Sequence, residues 1–390
     1  MSALQPRGRR SLRFALAALV AGAIITIIGF ILQPTQTFYS YLVAATYVVS
    51  VALGALILLM TFYCADATWP VVLRRFSEAI FAPLPVLAIA FIPIFLGMKH
   101  LYVWTAPDHI ADENLRRLVE HKLHFLQAGF FIGRSIFYFV VWIGFAIALR
   151  IISLRQDRSG SPFEQTNLKL VSAIGLPAVG LTLSFASFDW IMSLEPSFYS
   201  TMFGVYYYAG GFIAAIALLT LTAYAAHRAG IITLNDSHYY ALGRMMLAFT
   251  IFWGYIAFFQ YLLVWIADKP DEARWYVLRS HGGWANASVV LIIVNFVVPF
   301  FALLPYRTKR DGGYLAVVSV WILLAHYNDL HWQIIPQLSP EHYSLHFTDL
   351  GAMLALGGLA LVIGIFAFAS QSPIPRGESR LAASLEYHSK

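Results

Sequence analysis

The sequence predicts an all-α, polytopic membrane protein of about ten transmembrane helices. Three observations carry that expectation. Hydrophobic residues make up 59% of the chain and charged residues only 12%, with a mean hydropathy of +0.68, more apolar material than a soluble core absorbs. Apolar runs long enough to span recur along the whole sequence, at 14–33, 41–63, 79–97, 124–150, 168–188, 199–226, 240–267, 281–305, 313–328 and 348–370. Finally, lysine and arginine alternate in density between successive loops. Seventeen fall in one set of loops, including Arg7, Arg74, Arg150, Arg228, Arg307 and Arg376, and seven fall in the other, including Lys99, Arg117 and Arg279. Positive charge collects on the cytoplasmic side, so both termini are expected there.

The opening MSALQPRGRRSLRF has the look of a signal n-region. The apolar run from Phe14 to Leu32 is long enough to span and no small-residue cleavage site follows, so it reads as a retained first helix. Pro83, Pro85 and Pro93 are expected to break or kink the third span, Pro177 the fifth and Pro299 the eighth. Between the third and fourth spans, DHIADENLRRLVEHK (108–122) reads as an amphipathic surface helix with Ile110, Leu115, Leu118 and Val119 on one stripe. Two pairs of strings suggest an internal repeat: LYVWTAPD (101–108) with LLVWIADKPD (262–271), and FDWIMSLEP (188–196) with YNDLHWQIIP (327–336). A displacement of four helices keeps orientation. It divides the chain into an N-terminal flanking helix (1–40), a first four-helix bundle (41–198), a second (199–347), and a C-terminal flanking helix with a cytoplasmic tail (348–390).

Composition also excludes chemistry. The single cysteine, Cys64, leaves no disulfide framework, Cys-ligated zinc, iron–sulfur cluster or c-type haem attachment. No histidines on two helices face each other at mid-membrane depth, which argues against b-type haem. The net charge of +6 is a topology signal rather than a nucleic-acid signature.

The ionisable residues near the spans mark candidate sites, because charges in a bilayer are costly and retained for a purpose. Most carboxylates at helix ends fall on the outer side: Asp189, Glu195, Asp268, Asp329 and Asp349. Arg134 lies about ten residues into the fourth span, roughly 15 Å deep, and needs a partner. Asp189, Glu195 and Asp329 are the candidates, and a structural ion pair is the plain alternative to a functional one. In the seventh span Tyr261, Trp265 and Asp268 share a face beside Gln260. In the ninth, His326 and Asp329 are followed by His331. A histidine beside a carboxylate suits proton release from a quinol, whereas an interfacial aromatic belt is the structural explanation of the same residues. These nine residues, from Arg134 to His331, form the expected proton path or headgroup contacts. No residue is expected to be catalytic and none to bind metal.

The string FDWIMSLEPSFYSTMFGVYYYAGG (188–211) then carries a resemblance. With HLYVWTAPD (100–108), HKLHFLQAGFFIGRSIFYFVVW (121–142), the stretch 242–284 from LGRMMLAF to RSHGGW, and HYNDLHWQIIP (326–336), it resembles the ActF subunits of alternative complex III, a bacterial quinol:electron-acceptor oxidoreductase. The resemblance covers the third to ninth spans. It implies two four-helix bundles with two flanking helices, as in the NrfD/PsrC-like quinone-interacting membrane subunits, in the bacterial cytoplasmic (inner) membrane. It implies as partners an ActC-like paralogous quinol-binding subunit, an iron–sulfur subunit, c-type cytochrome subunits and lipids. Haem c and iron–sulfur clusters would sit in those partners, and this chain would hold no redox cofactor of its own. On that expectation the chain supports quinol oxidation and proton translocation. Two alternatives stand beside it: a subunit that binds quinol or quinone directly, framed by Tyr261, Trp265 and His331, and an independent secondary transporter.

Overall fold

The computed structural model describes residues 6–110 and 112–389. Every regular element among them is helical, and nine helices are long and apolar enough to cross a membrane. The chain is a multi-pass helical membrane protein.

Its first crossing is α1 (Pro6–Leu32) and its second α2 (Pro34–Cys64), separated by one residue. Pro34 supplies the N-terminal proline of α2, and the Thr37 hydroxyl donates to the Gln33 carbonyl at 2.8 Å. The polar turn at 34–40 is therefore helical, so α2 starts seven residues before the expected span and the boundary drawn at residue 40 falls inside it. The third crossing is broken as its prolines require: a 3-10 turn at Trp69–Leu73, then α3 (Arg74–Phe81), α4 (Leu84–Ala90), α5 (Ile92–Leu96) and α6 (Met98–Leu101). The surface helix α7 (Glu113–Lys122) is shorter than the amphipathic stretch. Asp112 caps it by accepting from the Asn114 and Leu115 amides, and Val119 is fully buried beneath it.

Next come α8 (Ala128–Ser159), α9 (Pro162–Trp190), α10 (Phe203–Arg228) and α11 (Asp236–Ala267). Pro177 is absorbed within a continuous α9. A short α12 (Pro270–Leu278) leads to α13 (Gly282–Ile292), a π-turn at Ile293–Val297, and α14 (Val298–Leu303). The π-turn directly precedes Pro299, whose missing N–H breaks the regular ladder. The ninth expected span is α15 (Gly312–Ile334). At 23 residues it equals α16 (Phe347–Ala369) in length, but His326, Asn328, Asp329, His331 and Gln333 leave it outside the nine apolar helices. A last short helix, α17 (Leu381–Leu385), lies in the C-terminal tail.

The axis of the molecule is α2, buried along its length and packed by α3, α9, α10, α15 and α16. Small residues allow this. A Cβ on Gly54 would lie 2.5 Å from the Gly211 carbonyl oxygen, and one on Gly211 would lie 2.7 Å from that of Ser50, so α2 and α10 meet backbone to backbone. Large apolar side chains face outward instead, among them Phe14, Ile31, Phe137, Leu170, Phe258 and Val317, the inverse of a soluble protein's surface. Alternation of the crossings leaves two ends. The start of α1, the end of α2 and the C-terminal tail share a terminal face; residues 101–127, 191–202, 268–281 and 335–346 form the far face.

Candidate functional site

The far-face halves of the helices hold three buried aspartates, Asp189, Asp329 and Asp349, of which the first two lie in opposite settings. Asp189, on the last turn of α9, is fully buried and meets a cation. Arg134 of α8 donates to it twice, Nε to Oδ2 at 2.8 Å and Nη2 to Oδ1 at 2.7 Å, and the Tyr138 hydroxyl adds a bond to Oδ2 at 2.8 Å. The guanidinium also donates to the Phe125 carbonyl, and the Phe125 and Phe130 rings lie 3.9 and 4.3 Å from its carbon. Of the three carboxylates open to Arg134 on sequence, the structure pairs it with Asp189 alone. This is a bidentate, buried ion pair that takes three donors on one carboxylate.

Asp329, on α15, has no cation. It accepts from the Tyr206 hydroxyl at 2.5 Å, from Trp253 Nε1 at 3.1 Å and from Gln333 Nε2 at 3.1 Å, and among the described residues it belongs to no ion pair. It lies five residues from the end of α15, about 7.5 Å below that end. One turn deeper, His326 bonds through Nε2 to the Ser50 hydroxyl at 2.8 Å, while its buried Nδ1 has no partner. That Nδ1 and Asp329 Oδ2 converge on Gly210 of α10: a Cβ there would lie 2.8 and 3.3 Å from them. A small cavity of about 10 Å³, bounded by Gly210, Trp253, Asn295 and His326, adjoins them and has the size of one water molecule. Tyr206, Trp253, Asp329, His326 and Ser50 thus form a polar file from the far face toward mid-membrane. It stops at Ser50, whose hydroxyl turns to the Tyr47 carbonyl; beyond it α2 offers Leu53, Leu56, Ile57 and Met60.

The file opens outward onto a cavity of about 1000 Å³ between α11, α12 and α13. Tyr206 and Trp253 form part of its wall, as do Gln260, Tyr261, Trp265 and Asp268, so the face read on the seventh span does border one space. At its far-face end sits Arg279, 1% exposed. Its Nη1, Nε and Nη2 donate to the carbonyls of Trp275, Trp332 and Gln333, and Trp275 stacks 3.6 Å from its carbon. Burial pushes this guanidinium down to about 9, against the opposing pull of Tyr276, Glu195 and Tyr206; it remains a cation at neutral pH.

The other expected residues stand apart. Glu195 is buried, accepts from the Ser197 hydroxyl at 2.6 Å and reaches neither Arg134 nor Arg279 as an ion pair. His331 points away from the cavity, toward Trp284 and Tyr343, with Asp349 of α16 at 3.7 Å. Tyr261, Trp265 and His331 therefore do not frame one headgroup.

Two features escaped the sequence. Arg279 counts there as a loop charge, although the Trp275–Arg279 spacing of four residues places a ring under a guanidinium. Arg74 and Arg75 count as loop charges as well, yet both are buried on α3 around Glu78. The spacings of three and four residues to Glu78 are the available signal. No group of three metal-ligating side chains occurs among the described residues.

The chain matches no protein-family model and no curated protein.

Proposed function

We propose that this chain is an integral membrane subunit of a quinol:electron-acceptor oxidoreductase of the alternative complex III type, supporting quinol oxidation by carrying protons to the far face. Quinol itself is oxidised at the ActC-like paralogue, and electrons pass through the iron–sulfur and c-type cytochrome subunits. Support comes from the resemblance over the third to ninth spans and, in the structure, from one observation above all: Asp329 is buried without a cation. Asp189 cannot take a proton without breaking its pair with Arg134, whereas Asp329 can exchange one with Tyr206 on one side and the His326 pocket on the other. A carboxylate and an imidazole one helical turn apart suit stepwise proton transfer.

On this reading the second to fifth and sixth to ninth crossings form two parallel four-helix bundles. The packing of α1 on α16 supports their role as a flanking pair. The terminal face, where Arg74, Arg75, Arg150 and Arg380 gather, is the cytoplasmic side of a bacterial inner membrane. The direct quinol-binding alternative is less well supported, because His331 is not among the residues lining the cavity, whereas Tyr261 and Trp265 are.

The test is Asp329→Asn in the purified complex, with quinol turnover and proton release followed together. Proton release is expected to slow by about 100-fold, the lower end of what a positioned proton-transfer group contributes. Unchanged release would sink the proposal.

A further inference from the structure

The 1000 Å³ cavity has a polarity that the proton file does not use. At its deep end α11 closes on the π-turn, where a Cβ on Gly254 would lie 2.5 Å from the Phe296 ring. Exposed Tyr255, Phe258, Trp265 and Ile292 rim its lateral opening along α11 and α13. From Ile251 to Asp268 the groove follows seventeen residues of α11, roughly 25 Å at 1.5 Å each. One leaflet of a bilayer, headgroup included, is about 20–22 Å deep.

Its walls are mostly apolar, and its far-face end holds two charges of opposite sign. Arg279 is a buried cation with no carboxylate in ion-pair reach among the described residues. Three of its bonds go to carbonyls, which leaves two of the five guanidinium N–H groups. A buried arginine whose carboxylate neighbour among the described residues, Glu195, acts only from beyond ion-pair distance suits an anionic acceptor. Asp268, closing α11 in a left-handed conformation at φ 46°, stands on the same wall.

From this geometry we infer that the groove holds one phospholipid, its phosphate on Arg279, a headgroup amine toward Asp268, and an acyl chain between α11 and α13. A zwitterionic aminophospholipid satisfies both charges; an acidic lipid meets the repulsion of Asp268, and a neutral quinone brings Arg279 no anion. The inference does not depend on the respiratory assignment.

The experiment uses the full chain, delipidated in detergent and returned to vesicles of phosphatidylethanolamine or of phosphatidylglycerol, then re-extracted and weighed by native mass spectrometry. The expected result is about one phosphatidylethanolamine retained per chain, in preference to phosphatidylglycerol. Arg279→Gln should lower retention by about tenfold, the loss of one charge-assisted contact. Ala285→Phe, which fills the groove without touching Arg279, should do the same and keeps the test open if Arg279→Gln fails to fold. Asp268→Asn should erase the preference between the two lipids. Equal retention by wild type and both groove variants, or a quinone or partner helix found in the groove of the native preparation, would overturn the inference.

Discussion

The Tyr206 hydroxyl donates to Asp329 across 2.5 Å, and among the described residues no lysine or arginine shares that carboxylate. On the neighbouring side of the molecule Arg134 grips Asp189 with two bonds. The two aspartates occupy corresponding strings in the sequence, FDW and NDL, yet one is locked in an ion pair and the other accepts only from neutral donors. The difference comes from their surroundings: α8 brings a guanidinium to Asp189, while α10 and α11 bring Asp329 only neutral donors.

Tyr206→Phe removes the link between the cavity and Asp329 and leaves packing intact. Proton release should slow while the fold survives, because only one hydrogen bond, worth about 1.5–3 kcal/mol when made to a charged group, is lost. A thermal melt in detergent beside a proton-release trace checks both halves. Loss of folding without a separate effect on protons would mean that Tyr206 is structural.

Arg134→Gln strands a fully buried carboxylate. The expected destabilisation is about 3–5 kcal/mol, the range for breaking a buried pair from one side. Adding Asp189→Asn should restore much of it, because the stranded charge disappears. A double-mutant cycle measured by chemical or thermal unfolding decides; additive single effects would show that the two residues do not act as a pair.

The helical class and the positions of nearly all crossings could be read from the sequence, because apolar runs and prolines act locally. Pro83, Pro85 and Pro93 break the third crossing where they stand. The site was only half legible. A face such as Tyr261, Trp265 and Asp268 follows from helical spacing within α11, but the choice of Asp189 over Glu195 for Arg134 depends on how α8 meets α9. That His331 faces Trp284, Tyr343 and Asp349 is not legible either, because position along α15 does not fix which neighbour a face meets. Arg279, Arg74 and Arg75 were hidden by a rule that treats any basic residue beyond an apolar run as solvated.

Gly210→Ala pits two effects against each other. In a helix interior alanine is favoured over glycine by about 1 kcal/mol. Here the added Cβ would lie 2.8 Å from His326 Nδ1, and His326 cannot yield, being held by Ser50 at 2.8 Å and against the Tyr47 ring at 5.1 Å. Overpacking of this kind costs about 1–3 kcal/mol, so the variant should melt earlier than wild type. A higher melting temperature would show that the pocket is looser than the packing implies.

Asp66 supplies the pH dependence at the terminal face. Its hydrogen bond to Lys169 at 2.9 Å holds its carboxyl below the usual range, and Arg380 of the tail lies 3.2 Å away. A lowered carboxyl pKa stabilises the fold fully above the unfolded value of about 4, and the contribution disappears as pH falls through the lower folded value. Since the pair is exposed, at most about 1 kcal/mol is at stake, less in salt. Asp66→Asn should therefore lower stability slightly at pH 7 and not at all near pH 2, as read from paired melts.

Glu78 is where the terminal face is most sensitive to a single change. It accepts from Arg74 at 3.2 Å, from Arg75 at 2.6 Å and from Ser153, with Arg150 at 3.8 Å. Glu378 of the tail adds a second carboxylate, 3.4 Å from Arg74, and the tail is held there by Ser384 bonded to the Trp69 carbonyl and by His238 on the Ser384 carbonyl. Glu78→Gln leaves three arginines around a neutral group, two of them buried, and should cost about 3–5 kcal/mol. Glu378→Gln removes a longer 3.4 Å contact to buried Arg74 and a 3.0 Å contact to the partly exposed Arg380, and should cost less, while loosening the tail. Melting of both variants, with protease cleavage of residues 371–389 as the second readout, separates them: Glu78→Gln should shift the melt more, and Glu378→Gln should speed cleavage more. The reverse order would place the tail, rather than α3, at the centre of that cluster.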